Sequence, residues 1–241
     1  MVAAVCLLSA ICYLLSPTGI GADSARIIIT GRNNGAAQPT GIIFDTNSQS
    51  TAADPSISHA QGSLVNGYAL VIAGYSFGAG TSGATATYDG GGMTEIASFD
   101  QASFYHIKLF YRDLGTSGAG TKTVTVAHTD AVTSALTTVL TYSGVLQGGG
   151  FTVGQFGEFN DPQGLAITTT STSELIVGGI VVNTVAANVT PAGVEYNEND
   201  SAGLTYENQH TPGTGGSVNL VWDLNAGAHA AFVAAVLKPA P

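Results

Sequence analysis

Between residues 104 and 112, Tyr105, Ile107, Leu109 and Tyr111 alternate with Phe104, His106, Lys108, Phe110 and Arg112. This period of two sends successive side chains to opposite faces of a pleated strand and gives a helix no apolar stripe. From residue 26 onward the same habit recurs. Short runs of Val, Ile, Thr, Tyr and Phe are separated by Gly, Asn, Asp and Ser clusters that supply turn geometry. Strands are expected at 26–30, 40–45, 56–60, 68–77, 84–88, 93–98, 104–113, 122–128, 135–143, 165–170, 174–183, 203–207, 217–223 and 230–238. Only the Ala-rich run 226–237 also suits a helix. There the turn-forming residues before it and the grouping of Phe232, Val233, Val236 and Leu237 favour a closing strand. The expectation is an all-β, two-sheet antiparallel β-sandwich, jelly-roll-like, forming a single domain over 26–241. Neither a long linker nor a repeat of fixed period divides it, and 148–150 and 211–216 read as loops within it.

Charge removes one class of function. The 241 residues carry 6 Lys and Arg against 16 Asp and Glu, a formal net charge of −10. Nucleic-acid affinity needs the opposite sign. Hydrophobic residues at 44% suffice for a core, and 32 glycines without a G-X-Y period exclude collagen. Cys6 and Cys12 both lie in the apolar run 2–15, so the rest of the chain has neither a disulfide nor a cysteine metal site. Residues 1–25 form an apolar N-terminal segment with three open readings: signal peptide, assembly arm packing on another subunit, or lipid anchor. The run has the size of a signal-peptide core and is followed by Ser16, Pro17 and Gly19. No Lys or Arg precedes it, and Gly19-Ile20-Gly21 before Ala22 matches a cleavage site poorly.

Several motifs touch on chemistry. Gly74-Tyr75-Ser76-Phe77-Gly78 matches the nucleophile elbow of hydrolases, with Asp200 and His210 in the required chain order. An elbow needs a helix directly after the serine, and the Gly/Ser/Thr-rich residues that follow Ser76 do not supply one. His59, His106, His128, His210 and His229 show no zinc-ligand spacing. Glu195, Glu198 and Asp200, with Asn197 and Asn199, offer hard oxygen ligands for calcium or simply a solvated acidic loop. Asp89, Glu95, Asp113, Glu158 and Glu174 are the carboxylates available for glycoside hydrolysis. Trp222, Tyr196, Tyr206 and Tyr88 are the aromatic side chains that could stack on a sugar.

An ordered series of short features runs from residue 41 to 239. It comprises Ile42-Ile43-Phe44-Asp45, Ser56-Ile57-Ser58-His59, the LVIAGYS run, and Thr87-Tyr88-Asp89-Gly90-Gly91-Gly92-Met93-Thr94. Then come Leu109-Phe110-Tyr111-Arg112-Asp113-Leu114, Gly120 to Val126, Tyr142-Ser143-Gly144-Val145, Ser173-Glu174-Leu175-Ile176-Val177 and Ala235-Val236-Leu237-Lys238-Pro239. The series resembles a family of β-sandwich domains found in secreted bacterial surface proteins and in phage structural proteins. The resemblance implies a jelly-roll-like sandwich with no catalytic or cofactor residues to carry over. The chain departs from the family pattern at Asp89, usually Gly, and at Leu146-Gln147, usually an Asp-Gln pair. The glycines before Met93 imply a tight turn with positive φ.

The function expected is therefore non-enzymatic, with no catalytic residue, metal or cofactor. It is that of a structural protein self-assembling in a virion (capsid decoration, fibre or tail) or in an extracellular surface appendage. Its partners would be copies of itself or other structural subunits, with no nucleic acid and no membrane after processing. Sparse charge weakens repulsion between subunits, and an apolar arm could reach a neighbour. The alternative is a secreted carbohydrate-binding or adhesive β-sandwich module.

Overall fold

The computed structural model describes residues 41–77, 83–101, 105–149, 152–157, 163–182, 190–191, 194–201, 204–223 and 230–241. Among them every regular element is a strand, and the paired strands are antiparallel. The first half of the chain contributes β1 (Ile43–Ser50), β2 (Ser56–Gln61), β3 (Leu64–Phe77), β4 (Ala84–Tyr88), β5 (Gly91–Gly92), β6 (Thr94–Gln101), β7 (Tyr105–Ser117), β8 (Gly120–His128) and β9 (Val132–Ser143). The second contributes β10 (Thr152–Gly157), β11 (Gln163–Thr168), β12 (Leu175–Val182), β13 (Thr190–Pro191), β14 (Val194–Ser201), β15 (Leu204–Pro212), β16 (Ser217–Asp223) and β17 (Ala230–Leu237).

These strands form four sheets where two were expected: β1-β9-β3-β7-β6 and β2-β8-β4-β5 from the first half, β10-β17-β12-β15-β14 and β11-β16-β13 from the second. The strand order repeats. Replacing β1, β9, β3, β7 and β6 by β10, β17, β12, β15 and β14 converts one five-stranded sheet into the other, and β2, β8 and β4 correspond likewise to β11, β16 and β13. The sequence has no fixed-period repeat to announce this, because strand order is conserved between the halves while loop lengths are not.

Burial explains how the sheets stack. On β3, Leu70 and Ile72 share a core with Val177 and Val181 of β12. The alternate residues Val71, Ala73 and Tyr75 share another with Ile57 of β2 and Val124 and Val126 of β8. On β12, Ile176, Ile180 and Val182 turn to a third core with Leu220 and Trp222 of β16. The two five-stranded sheets thus lie back to back in the middle, each covered on its other face by a smaller sheet. Strands buried on both faces have no solvent side to mark with polar residues. Hence β12 reads LIVGGIVV, buried throughout, whereas the outer strand β2 alternates exposed and buried along SISHAQ.

Most strand expectations match to within a few residues. The 226–237 ambiguity resolves as β17, buried at all eight positions between β10 and β12. Four strands were not anticipated: β5, β10, β13 and β14. The polar run VEYNENDS forms β14, not a loop, and the polar end of β1 likewise extends to Ser50. Both are edge strands, where one side of the ladder is open and polar residues cost little. The turn before Met93 is as expected: Asp89 (φ 50°) and Gly90 (φ 74°) form a two-residue hairpin between β4 and β5, with both central residues at positive φ. The expected strand at 26–30 and segment 1–25 lie outside the described residues.

The inner sheets approach closely at Gly179, where a Cβ would stand 2.7 Å from Ile72 Cγ2 of the facing sheet and 2.5 Å from Oδ1 of its ladder neighbour Asn208. Gly179→Val is expected to destabilise the chain by about 1–3 kcal/mol through overpacking. Gly92→Ala, with nothing within 4 Å of the added carbon, serves as the control. The urea midpoint of each variant measures the difference.

Candidate functional site at the chain junction

Where β9 ends, residues 143–147 bind three otherwise separate segments. Ser143 pairs with Ile43, Gly144 N–H donates to the Val65 carbonyl at 2.8 Å, and Val145 N–H to that of Asn66 at 3.0 Å. Leu146 N–H donates to the Lys238 carbonyl at 2.8 Å, and Val145 bridges Pro239. The Gln147 side chain locks this arrangement: its Nε2 donates to the carbonyls of Gly67 (3.0 Å) and Val145 (2.9 Å), and its Oε1 accepts from Gly115 N–H (3.1 Å). Residue 41, the crossing between halves and the C-terminal tail therefore meet at one end. All three large hydrophobic side chains exposed among the described residues lie on this hub: Ile43 at 61%, Val65 at 64% and Leu146 at 37%. Scattered exposed apolar residues are ordinary; these three are grouped at one end. Leu146 is also one of the departures from the resembled family pattern, an apolar side chain in place of an aspartate.

The motif residues are distributed elsewhere. Ser76 lies within β3, its Oγ 2.9 Å from Thr133 Oγ1, while Thr133 donates to the Ser76 carbonyl at 3.1 Å. Among the described residues, none of its hydrogen bonds reaches an imidazole. His210 packs on Phe44, ring centroids 6.3 Å apart, and Asp200 stands opposite Thr205 in the β14–β15 ladder. The acidic cluster Glu195, Asn197, Glu198, Asn199 and Asp200 is strung along an edge strand, with a bulge at Tyr196. The carboxylates serve separate local roles. Asp89 pairs with Lys122 (3.3 Å) and Glu95 with Lys108 (3.1 Å), and Asp113 accepts from Gly148 N–H (2.9 Å). Buried Glu174 accepts from the backbone and hydroxyl of Thr170, both at 2.6 Å. Glu158 and His229 lie outside the described residues. Trp222, Tyr206 and Tyr88 are at most 2% exposed and pack in the cores, so none offers a ring face to a sugar. The side chain of Tyr196 is not among those described.

The remaining histidines occupy interior positions. His106, stacked on Tyr75 at 5.3 Å, holds Asp100 at 2.8 Å, and burial lowers its pKa against the opposing pull of that carboxylate. His128 meets Tyr75 edge-on at 4.5 Å and binds Asp54 at 3.1 Å. Hydrogen bonds from the His128 backbone and ring hold the Asp54 carboxyl below its usual range. His59 is fully buried between Ser48 and Thr141, 3.0 Å from each hydroxyl. No spacing rule in the sequence could bring these three residues together, since β1, β2 and β9 meet only through the fold. Among the described residues no group of three or more His, Cys, Asp or Glu side chains is placed to hold a metal ion.

No family model matches the chain, and neither does any curated protein or solved structure.

Burial lowers both His59 and His210 to about 4. A base whose folded pKa lies below its unfolded value, about 6.5, binds fewer protons in the native state. Stability is then fullest above pH 6.5 and falls as pH drops toward 4. The loss approaches roughly 3 kcal/mol per histidine. His210→Asn should show a smaller fall in urea midpoint between pH 7 and pH 4.5 than the parent chain. An equal fall would remove His210 from this account.

Proposed function

We propose that the chain is a non-enzymatic structural protein that self-assembles in a virion, as a capsid decoration, fibre or tail component, or in an extracellular surface appendage. Each half is then a jelly-roll-like sandwich, and copies of the chain or other structural subunits are its partners. The observation that carries this reading is the group Ile43, Val65 and Leu146, exposed on the hub two residues from Gly41, where the 40 preceding residues and their apolar run 2–15 join. The strand orders β1-β9-β3-β7 and β2-β8-β4-β5 support the jelly-roll part, because each sheet interleaves strands from the two ends of the half, as a folded-over double Greek key does. Low charge density adds support: few ions must be desolvated when copies meet.

Deleting residues 1–25 is expected to abolish higher assembly while the β-sheet circular dichroism persists. Ile43→Asp with Val65→Asp should weaken assembly in the full chain at least tenfold in critical concentration. Sedimentation velocity reads both variants, and a truncated chain that assembles like the parent would refute the reading.

A further inference from the structure

One hydrogen-bonded chain of side chains runs inside the first half, apart from the exposed hub. Asp45 is the extra residue of a bulge in β1, between the pairs Phe44–Tyr142 and Thr46–Thr141. Its Oδ2 accepts from Gly62 N–H and from Thr141 Oγ1, each at 2.9 Å. Beyond Thr141 stands His59 Nε2 at 3.0 Å, and beyond His59 Nδ1 stands Ser48 Oγ at 3.0 Å.

The proton positions follow from counting donors. A carboxylate only accepts, so the single Thr141 hydroxyl proton points to Asp45; the alternative acceptor, the Thr46 carbonyl, is 3.5 Å away. Thr141 must then accept from His59, which places the imidazole proton on Nε2. In the neutral ring Nδ1 is a bare lone pair, and among the described residues the Ser48 hydroxyl is the donor that fills it. Nucleophile, base and orienting group thus stand in hydrogen-bond order. Burial keeps the ring neutral at pH 7. Ser48, at the outer end of the chain, is only half-buried while His59 is fully enclosed.

We infer that Ser48 is a nucleophile that takes a single acyl group from activated esters, without turnover, with His59 as its base and Thr141 and Asp45 as positioning residues. In the step, Ser48 Oγ bonds to the acyl carbon as its proton passes to His59 Nδ1. The ester C–O bond breaks, and the departing alkoxide takes that proton from the imidazolium. The products are O-acyl-Ser48 and the free alcohol, with His59 neutral again. The carboxylate of Asp45, acting through Thr141, favours the transient positive charge on the ring. This inference goes beyond the assembly reading and survives its failure, since it needs neither residues 1–25 nor a second copy.

The test treats the full chain with a biotin-tagged fluorophosphonate, which loses fluoride to a reactive serine, and locates the adduct by peptide mass spectrometry. A single adduct on Ser48 is expected, absent in Ser48→Ala and unchanged in Ser76→Ala. His59→Gln should slow labelling at least tenfold. Asp45→Asn should slow it and shift its pH profile, a readout that mere loss of packing would not move. Native circular dichroism identifies the variants that fold, and the parent chain alone decides the first point. No adduct on the folded parent, an adduct spread over many hydroxyls, or full-rate labelling of a folded His59→Gln chain would overturn the inference.

Discussion

The architecture depends on apolar contact between two sheets that each already have a buried opposite face. Leu70 and Ile72 of β3 and Val177 and Val181 of β12 meet in the largest core, to which both halves contribute. Removing either half would expose this face of the other to water, at about 25 cal/mol for each square ångström of apolar surface uncovered. The outer sheets then have a simple task. Each covers one remaining apolar face and presents polar residues outward, which is why strict alternation survives in β2 and β4 and disappears from β12. Glycine is placed where the central contact is tight: at Gly179 the facing Ile72 and the neighbouring Asn208 leave no room for a Cβ, and at Gly74 the facing Tyr206 leaves none.

Fold class was legible because period-two alternation and turn chemistry are local properties. The Asp89-Gly90 hairpin and the strands over 84–88 and 217–223 follow from neighbouring residues alone, and the structure places them as read. Sheet number was not legible. The continuous apolar run of β12 marks burial on both faces, but which sheets cover it depends on what packs there from elsewhere in the chain. The edge strand β14 was hidden for the opposite reason: its residues have low strand propensity, and pairing with β15 overrides that preference.

The candidate sites divide in the same way. The elbow-like Gly74-Tyr75-Ser76-Phe77-Gly78 matched as a string, yet its serine ends in a hydroxyl pair with Thr133 inside a strand. Ser48, His59 and Thr141 matched no string, because a bulge at Asp45 and the meeting of two edge strands are what align them. Of the exposed hub, only Leu146 could be singled out in advance, as a departure from a resembled pattern. Ile43 and Val65 sit in runs whose other apolar members are buried, and only three-dimensional placement separates them.

The hub also bears on the order in which the halves occur along the chain. Gly41 and Pro239 nearly touch: a Cβ on the glycine would be 3.3 Å from the proline Cβ. The crossing from β9 to β10 leaves from the same place. A few residues bridging 239 to 41 would close the described chain into a loop, which could be reopened near residue 150 so that the second half is synthesised first. Ends of a folded segment this close together are the usual setting for circular permutation of that segment. The facing sheets, and not the order of the halves along the chain, make the contacts that pair them.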